Sequence, residues 1–395
     1  MDSVVFDLDQ RTRSANDIVE VGAPLFHREV VETASEGRRS LAARALVASG
    51  LESFAIAVGD DAWTWRLDGS GALEIVDGDD GRGPRANLSP SWFSDIVNNV
   101  GTAVSLMIAA VPVMERGRIE HLIRFEPVLR ALVDGRQPYE PGTVCFSDAD
   151  GAPLDLHRSF MLDDDPAEVR HFLREAGFLH VRGVFDDAEM DELSAVMDSW
   201  FEVMTPDDHR SWYATVGDHQ ECVRVTNLGL DDVDFPHAER LAPLAAFAGG
   251  DRVYGGSDLL VKPVGVTEGL SDLPWHKDCE LGGHTYRCAS LTCGVSVTPS
   301  GPDNGQLGVV AGSHRVNVTM LDLDRIDLPQ VFLTTGRGDV TVHLSCALHC
   351  ATPPVHSERR VSYSSLRLPG GDTRALDARV KAVRDQAGRD TYAPT

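Results

Sequence analysis

Residues 274–278, PWHKD, contain the feature that decides the fold and its chemistry. Side chains two positions apart in an extended chain point to the same side, so His276 and Asp278 can bind one metal ion. His349, 73 residues later (349 − 276), is the candidate third ligand, with the nearby His343 as its alternative. Two histidines and a carboxylate on one side of a metal leave room for O2 and a chelating co-substrate, which suits non-haem Fe(II).

The segment after His349 predicts a binding site for the far end of that co-substrate. Arg360 lies 11 residues after His349 (360 − 349), and Ser362 shares its face of the predicted strand. A guanidinium and a hydroxyl on one face can hold a carboxylate, with the arginine binding in a bidentate manner. If Arg360 instead faces solvent, Arg359 is the alternative. Arg224 is a candidate for binding a substrate carboxylate, and a structural role is its alternative.

Short predicted strands, separated by Gly and Pro turns, fill the chain after residue 250, and this pattern favours a barrel or jelly roll. They cover residues 258–262, 288–298, 306–311, 339–343 and 360–368. Earlier in this half, Asp165 begins a predicted helix and Gly177 ends it.

The first part of the chain predicts a smaller α+β unit. A helix at 37–50 precedes three segments of period-two alternation, which indicate antiparallel strands with one wet face. Ser89 then begins helical sequence, and residues 103–133 continue as helix. Gly and Pro residues within 134–151 mark a boundary. We therefore predict two domains, residues 1–145 and 152–395.

The second domain resembles the phytanoyl-CoA dioxygenase family of 2-oxoglutarate oxygenases. The matching stretches, in the order found in the family, are GFLHVRGVF (177–185), LLVKPVG (259–265), PWHKD (274–278), DNGQLGVVAGSHR (303–315), GDVTVHLSCALHCATPP (338–354) and RRVSYSSLRL (359–368). The resemblance implies a double-stranded β-helix, a jelly-roll or cupin-like fold. It also implies iron at His276, Asp278 and His349, and the 2-oxoglutarate carboxylate at Arg360. Gly294 stands where some relatives carry tryptophan, so we expect a wider pocket.

The N-terminal domain resembles, over residues 40–133, a sterol-carrier-protein-type domain. The stretches that carry this are FAIAVG, AWTWRLDG and LSPSWFSDIV. The resemblance implies that the domain encloses an apolar ligand. The alternative is an extension that packs on the oxygenase domain or forms a homodimer.

Charge and composition exclude several classes of partner. A formal net charge of −25 repels nucleic acid and anionic lipid surfaces, because both need a basic footprint to bind. Seven cysteines scattered along the chain do not resemble a disulfide framework, so we expect free thiols. The apolar run from Ala103 to Val113 is too short to span a bilayer, and the first residues lack a signal-peptide pattern. We therefore expect a cytoplasmic protein without nucleic-acid partners or membrane insertion.

Together these features predict a non-haem iron, 2-oxoglutarate-dependent dioxygenase acting on a small molecule. We expect it to use O2 to oxidise an unactivated C–H and to release succinate and CO2. Hydroxylation is the default outcome, and a natural-product intermediate is the preferred substrate. Two alternatives remain: an apolar-ligand-binding protein with an inactive oxygenase shell, and a cupin-type metal enzyme that does not use 2-oxoglutarate. The predicted triad argues against the first, and Arg360 with Ser362 against the second.

Overall fold

The computed structural model describes most of both predicted domains. The described residues are 20–99, 101–108, 110–228, 238–248, 252–269, 273–281 and 290–367. The outer ends of the predicted domains, residues 1–19 and 368–395, lie outside them.

The described N-terminal residues form a sheet that packs with helices in one core. The helices are α1 (Ala23–Leu25), α2 (Val31–Thr33), α3 (Glu36–Ser49), α4 (Pro90–Val97), α5 (Ala103–Ile108) and α6 (Ile119–Asp134), with a π-helical turn at Phe26–Val30. The strands are β1 (Ser53–Val58), β2 (Asp61–Leu67), β3 (Leu73–Asp77), β4 (Arg85–Leu88) and β5 (Met114–Arg116). The sheet order is β3-β2-β1-β4-β5, with β1 and β4 parallel and the other pairs antiparallel.

Helix α3 shows how local sequence sets the ends of these elements. At its start Ser35 Oγ accepts the Arg38 N–H, and at its end Gly50 adopts φ of 73°. A hydroxyl satisfies a free N–H at a helix start, and the left-handed conformation favours glycine. The core beneath the helix includes Phe54 and Phe125, whose rings stack with centroids 4.4 Å apart.

The predicted helix over residues 103–133 is wrong in its middle. The structure has α5, then the edge strand β5, then α6. Pro112 lacks the N–H that would continue a helix, and Gly117 adopts φ of 92°, which a right-handed helix does not use. The helix is therefore interrupted where these two residues lie.

The second domain contains helices on an antiparallel β framework. The described helices are α7 (Pro166–Ala176), α8 (Asp187–Val203) and α9 (Ala242–Ala248). The described strands are β6 (Phe178–Val181), β7 (Ser211–Val216), β8 (His219–Leu228), β9 (Val253–Lys262), β10 (Val266–Glu268), β11 (Leu273–His276), β12 (Leu291–Ser296), β13 (Leu307–Val310), β14 (Gln330–Leu333), β15 (Val340–Leu344), β16 (His349–Ala351) and β17 (Arg359–Arg367). None of the helices in the described stretches is long and apolar enough to cross a membrane.

These strands form two antiparallel sheets in the described part of the domain. The larger has the order β10-β7-β8-β9-β17-β12-β15-β6, and the smaller has the order β11-β16-β13-β14. Neighbours such as β17 and β12 are far apart in sequence, so the chain crosses repeatedly between the sheets, as in a jelly roll. The described sheets do not close into a barrel. The predicted α+β class with a jelly-roll, cupin-like domain is confirmed.

The two predicted domains contact each other through hydrogen bonds to the segment after β13. Asn317 Nδ2 donates to the Pro127 carbonyl of α6 at 2.8 Å. Arg136 Nη2 donates to the carbonyls of His314 and Val316, both at 3.1 Å. The N-terminal domain is therefore attached directly to the framework that carries the metal centre.

Candidate metal centre

Three candidate ligands meet where two strands of the smaller sheet pair. His276 ends β11 and His349 begins β16, and the two residues are paired in antiparallel register. Asp278 begins a 3-10 turn, Asp278–Leu281, directly after β11. One possible ligand atom from each of these three side chains lies within 4.8 Å of the others. The structure thus brings together two imidazoles and one carboxylate.

Backbone contacts set the tautomer of both histidines. His276 Nδ1 donates to the Pro274 carbonyl at 2.7 Å, and His349 Nδ1 donates to the Ala347 carbonyl at 3.0 Å. A carbonyl oxygen can only accept, so Nδ1 carries the proton and Nε2 keeps a lone pair for a metal. The two Nε2 atoms lie 3.6 and 3.5 Å from Asp278 Oδ1, in the order His276 and His349. The free donor atoms therefore converge on one point.

The two oxygens of Asp278 have different neighbours. Oδ1 faces the two Nε2 atoms, whereas Oδ2 accepts a hydrogen bond from Thr292 Oγ1 at 3.0 Å. Burial opposes ionisation of Asp278, but the imidazoles of His349, His276 and His343 around it hold the pKa of its carboxyl well below the usual range. An ionised carboxylate with two neutral imidazoles is a donor set that suits Fe(II). These residues fit the metal that the sequence implied.

His343, the alternative third ligand, lies beside this group. Its ring centroid is 4.1 Å from that of His349, and its Nε2 is 3.8 Å from Asp278 Oδ2. It therefore faces the outer oxygen of the carboxylate, whereas His349 faces Oδ1. The position nearest the other two donors is occupied by His349.

An open cavity of about 280 Å³ adjoins the three residues. Its wall mixes polar side chains with an apolar part. The polar part includes Arg224, Asp258, Thr292, Ser345 and Tyr363, and the apolar part includes Leu260, Leu273, Leu307 and Ala351. A cavity of this kind can orient a polar molecule while leaving some of its C–H groups beside the metal.

Arg224 lies in the cavity wall on β8. Its Nη2 forms an ion pair with Asp258 Oδ2 on β9, and its guanidinium lies 5.9 Å from the Trp212 ring centroid. Arg224 and Asp258 keep about a quarter of their side-chain surface exposed, 25% and 26%. The pair thus offers a donor and an acceptor toward the cavity.

Arg360 lies on the face of β17 that packs against α8, which corrects its predicted place. Its Nη1 donates to Asp198 Oδ1 at 2.7 Å and to Ser194 Oγ at 2.9 Å. Its Nε donates to Glu358 Oε1 at 3.0 Å. Ser362, two residues later, shares this outer face. Side chains alternate along a strand, so Arg360 and Ser362 lie on the face of β17 opposite to that of the cavity-lining Tyr363.

Arg359 lies on the opposite face of β17, beside the cavity wall. Its Nη2 contacts the hydroxyl of the cavity-lining Tyr363 at 3.4 Å. The side chain is buried, its Nη1 has no hydrogen-bond partner, and none of the described carboxylates forms an ion pair with it. Its cross-strand neighbour on β9 is a second buried cation, Lys262. The buried guanidinium of Arg359, beside the cavity-lining Tyr363, favours an anionic ligand.

Tyr363 also corrects the expectation that Gly294 widens the pocket. The two residues are cross-strand neighbours on β17 and β12. A Cβ built on Gly294 would lie 2.8 Å from Tyr363 Cε1 and 2.9 Å from Thr341 Oγ1. The tyrosine ring therefore occupies the space beside the glycine, and the close contact requires glycine there.

Residues of both predicted domains contact the turn that carries Asp278. Lys277, between the two ligands, is buried, and its Nζ donates to the Val318 carbonyl at 2.7 Å. Thr102 Oγ1, at the start of α5, donates to the Glu280 carbonyl of the turn. The two hydrogen bonds, one from each predicted domain, therefore hold the turn in place. Burial also raises the pKa of Glu280, within this turn, to about 7.

Sequence reasoning missed Thr292, Tyr363 and Asp258 as residues of the site. Thr292 reaches Asp278 from strand β12 of the larger sheet, and Tyr363 reaches the cavity from β17. The sequence feature that could have identified them is the period-two alternation of the predicted strands. It shows which residues share a face of a strand, but not which face points toward the site. No local motif marks them.

A family comparison identifies the domain that carries this site. Residues 173–361 match the family model described as phytanoyl-CoA dioxygenase (PhyH). That stretch contains all the metal-centre residues described above. No curated protein matches the chain.

Several solved structures are similar to part of the chain. AviO1 from Streptomyces viridochromogenes Tue57 is 24% identical over 52% of this chain and 96% of its own, with a TM-score of 0.44. EctD from S. alaskensis with bound Fe is 20% identical over 54% and 82%, with a TM-score of 0.43. The epimerase SnoN, in complex with Fe3+, alpha ketoglutarate and nogalamycin RO, is 20% identical over 52% and 85%, with a TM-score of 0.40.

Proposed function

Because residues 173–361 form a phytanoyl-CoA dioxygenase family domain, we propose that this protein is an Fe(II)- and 2-oxoglutarate-dependent oxygenase that hydroxylates a small polar molecule. The observation that carries the proposal is the convergence of His276, Asp278 and His349 within 4.8 Å. Iron held by these three residues would leave positions open for 2-oxoglutarate and O2, and would supply the chemistry that oxidises a substrate C–H with release of succinate and CO2.

The chain's part begins with holding the metal. His276 and His349 present Nε2, because each Nδ1 is used in a backbone hydrogen bond. Asp278 presents Oδ1 while Thr292 occupies Oδ2. Fixing each ligand through a second contact reduces the reorganisation that metal binding requires.

The co-substrate carboxylate far from the metal is assigned to Arg359 in place of Arg360. Arg359 is buried and its Nη1 has no partner, whereas Arg360 is already paired with Asp198 on the outer face. The Tyr363 hydroxyl, in contact with Arg359, is a second donor at the cavity wall. A planar guanidinium can bind a carboxylate in a bidentate manner.

The rest of the cavity is assigned to the substrate. Arg224 and Asp258 offer a cation and a carboxylate toward the same space as the metal ligands. These groups can orient a molecule that carries hydroxyl or charged groups, which agrees with a natural-product intermediate as substrate. Leu260 and Leu273 on the wall offer an apolar surface against which the C–H to be oxidised can lie.

The test is anaerobic titration of 2-oxoglutarate into the Fe(II)-loaded protein, followed through the visible metal-to-ligand absorption band. We expect a saturable band in the wild type, none in His349→Ala, and succinate release when O2 is admitted. Iron binding without such a band would favour the cupin-type enzyme that does not use 2-oxoglutarate. Absence of iron binding in the wild type would contradict the metal centre itself.

A further inference from the structure

His343 is a buried imidazole at the metal centre that the proposed function leaves unused. It is 1% exposed, on β15, and lines the same cavity as the three ligands. Neither Nδ1 nor Nε2 has a hydrogen-bond partner in the structure. Buried polar groups are normally hydrogen-bonded, so a buried imidazole of this kind at a metal centre is a candidate for a functional contact.

The atom nearest to His343 Nε2 that could accept a proton is one oxygen of the predicted metal ligand. Nε2 lies 3.8 Å from Asp278 Oδ2, which is too long for a hydrogen bond. Thr292 Oγ1 already donates to that same oxygen at 3.0 Å. A closing of about 0.8 Å (3.8 − 3.0) would give the imidazole a bond of equal length, and hydrogen bonds in active sites often tighten by such amounts in the reacting complex.

The strand pairing keeps His343 and Thr292 together. They are cross-strand neighbours on β15 and β12, so their side chains leave the sheet on the same face. Both approach Asp278 from the side of Oδ2, whereas His276 and His349 approach Oδ1. The carboxylate therefore lies between two sets of partners, one set for each oxygen.

We infer that His343 is a positioning residue, whose Nε2 donates a hydrogen bond to Asp278 Oδ2 and keeps Asp278 bound to the metal through Oδ1 alone. The inference rests on the proposed metal centre and deepens it. A carboxylate bound through both oxygens would occupy one more coordination position. Two donors on Oδ2 prevent this and preserve the positions that the co-substrate and O2 need.

Three substitutions of His343 distinguish a hydrogen-bonding role from a role in packing alone. His343→Gln places an amide N–H near the former Nε2, His343→Asn places one near the former Nδ1, and His343→Phe fills the volume without a donor. Loss of a group that orients a metal ligand weakens metal binding ~10–100-fold. We expect that loss for the Phe and Asn variants, and affinity close to wild type for Gln.

The measurement is anaerobic Fe(II) affinity by competition with a chelator, with thermal melting of the metal-free variants as a check on folding. Equal Fe(II) affinity in all three variants and the wild type would overturn the inference. So would equal losses in Gln and Phe variants that melt like the wild type. Failure of the wild type to bind Fe(II) would instead reject the proposed function.

A double-variant cycle tests whether His343 acts on the same oxygen as Thr292. We expect the combined effect of His343→Phe and Thr292→Val on Fe(II) binding to differ from the product of their separate effects, because both side chains act on Oδ2. Thr341→Val is the matched control: Thr341 lies on the same strand, and its Oγ1 donates to the Gly294 carbonyl instead. Independent effects of His343 and Thr292 would contradict the shared role.

Direct ligation by His343 is the outcome that the cycle alone would not exclude. Electron paramagnetic resonance of the Cu(II)-substituted protein counts the coordinated nitrogens. We expect the same number in the wild type and in His343→Phe. Loss of one coupled nitrogen in the variant would make His343 a fourth protein ligand and overturn the positioning role.

Discussion

Substitution of two adjacent arginines tests which face of β17 binds the co-substrate. Arg359→Ala should weaken 2-oxoglutarate binding severely, whereas Arg360→Ala should leave it unchanged. The reason is geometric: Arg359 is buried beside the cavity-lining Tyr363, and Arg360 pairs with Asp198 on the outer face. The two variants remove the same chemical group one position apart, so each is the control for the other.

The magnitude follows from the environment of Arg359. Leaving one partner of a buried ion pair without the other costs ~3–5 kcal/mol. At about 1.4 kcal/mol per tenfold change, this corresponds to roughly a hundredfold to a few thousandfold weaker binding. Arg359→Lys retains the charge but loses the planar fork, so its defect should be smaller yet measurable. Iron binding should survive in all three variants, because neither arginine is one of the three candidate ligands.

The assay is the midpoint of the 2-oxoglutarate titration of the anaerobic Fe(II) protein, with melting temperature as a check on folding. Arg360→Ala should lose only the ~0–1 kcal/mol of stability that a surface ion pair contributes. An unchanged midpoint in Arg359→Ala, together with a large shift in Arg360→Ala, would refute the assignment. That result would support the sequence-based prediction that Arg360 binds the 2-oxoglutarate carboxylate.

Three further predictions concern the metal, the domain contact and acid stability. His349→Ala should remove most Fe(II) binding in the chelator competition while the protein stays folded. Thr102→Val should lower the free energy of unfolding by ~1–3 kcal/mol, because the buried Glu280 carbonyl loses its donor, whereas Thr102→Ser should not; urea denaturation measures both. Burial lowers the pKa of His27 from 6.5 to about 4, and Trp65 Nε1 donates to its Nε2. The unfolded chain therefore binds more protons between these values, so stability should fall as pH falls from 6.5 to 4, by ~3 kcal/mol from this group. His27→Gln should show a smaller fall in urea midpoints across that range.

Local sequence was sufficient for features that depend on spacing over a few residues. The distance of two between His276 and Asp278 predicts that both can reach one ion, and the structure places them so even though Asp278 begins a 3-10 turn. The start of α7 at Asp165 and its end at Gly177 follow from hydrogen bonds and φ preferences within one turn of helix. Short strands with Gly and Pro turns likewise indicated the jelly roll.

The N-terminal domain shows a limit of such reasoning. Its helical pattern over residues 103–133 was periodic enough to predict one helix, but a proline and a glycine inside it interrupt the hydrogen-bond ladder. Its contact with the metal-binding turn, through Thr102 and Glu280, joins residues 178 positions apart. The resemblance to a sterol-carrier-type domain stays a prediction.

The sequence by itself determined the spacing of the ligands His276 and Asp278 and the ends of α7, because each depends on contacts within a few residues. Only the tertiary structure decided which arginine lies beside the cavity-lining Tyr363 and which imidazole lies on the Oδ2 side of Asp278. Alternation along β17 defines two faces, but the register with β12 and β9 determines which face is inward. His343 and Thr292 are 51 residues apart (343 − 292) and meet only because β15 and β12 pair. Such pairings depend on packing across the whole domain, and no stretch of sequence specifies them alone.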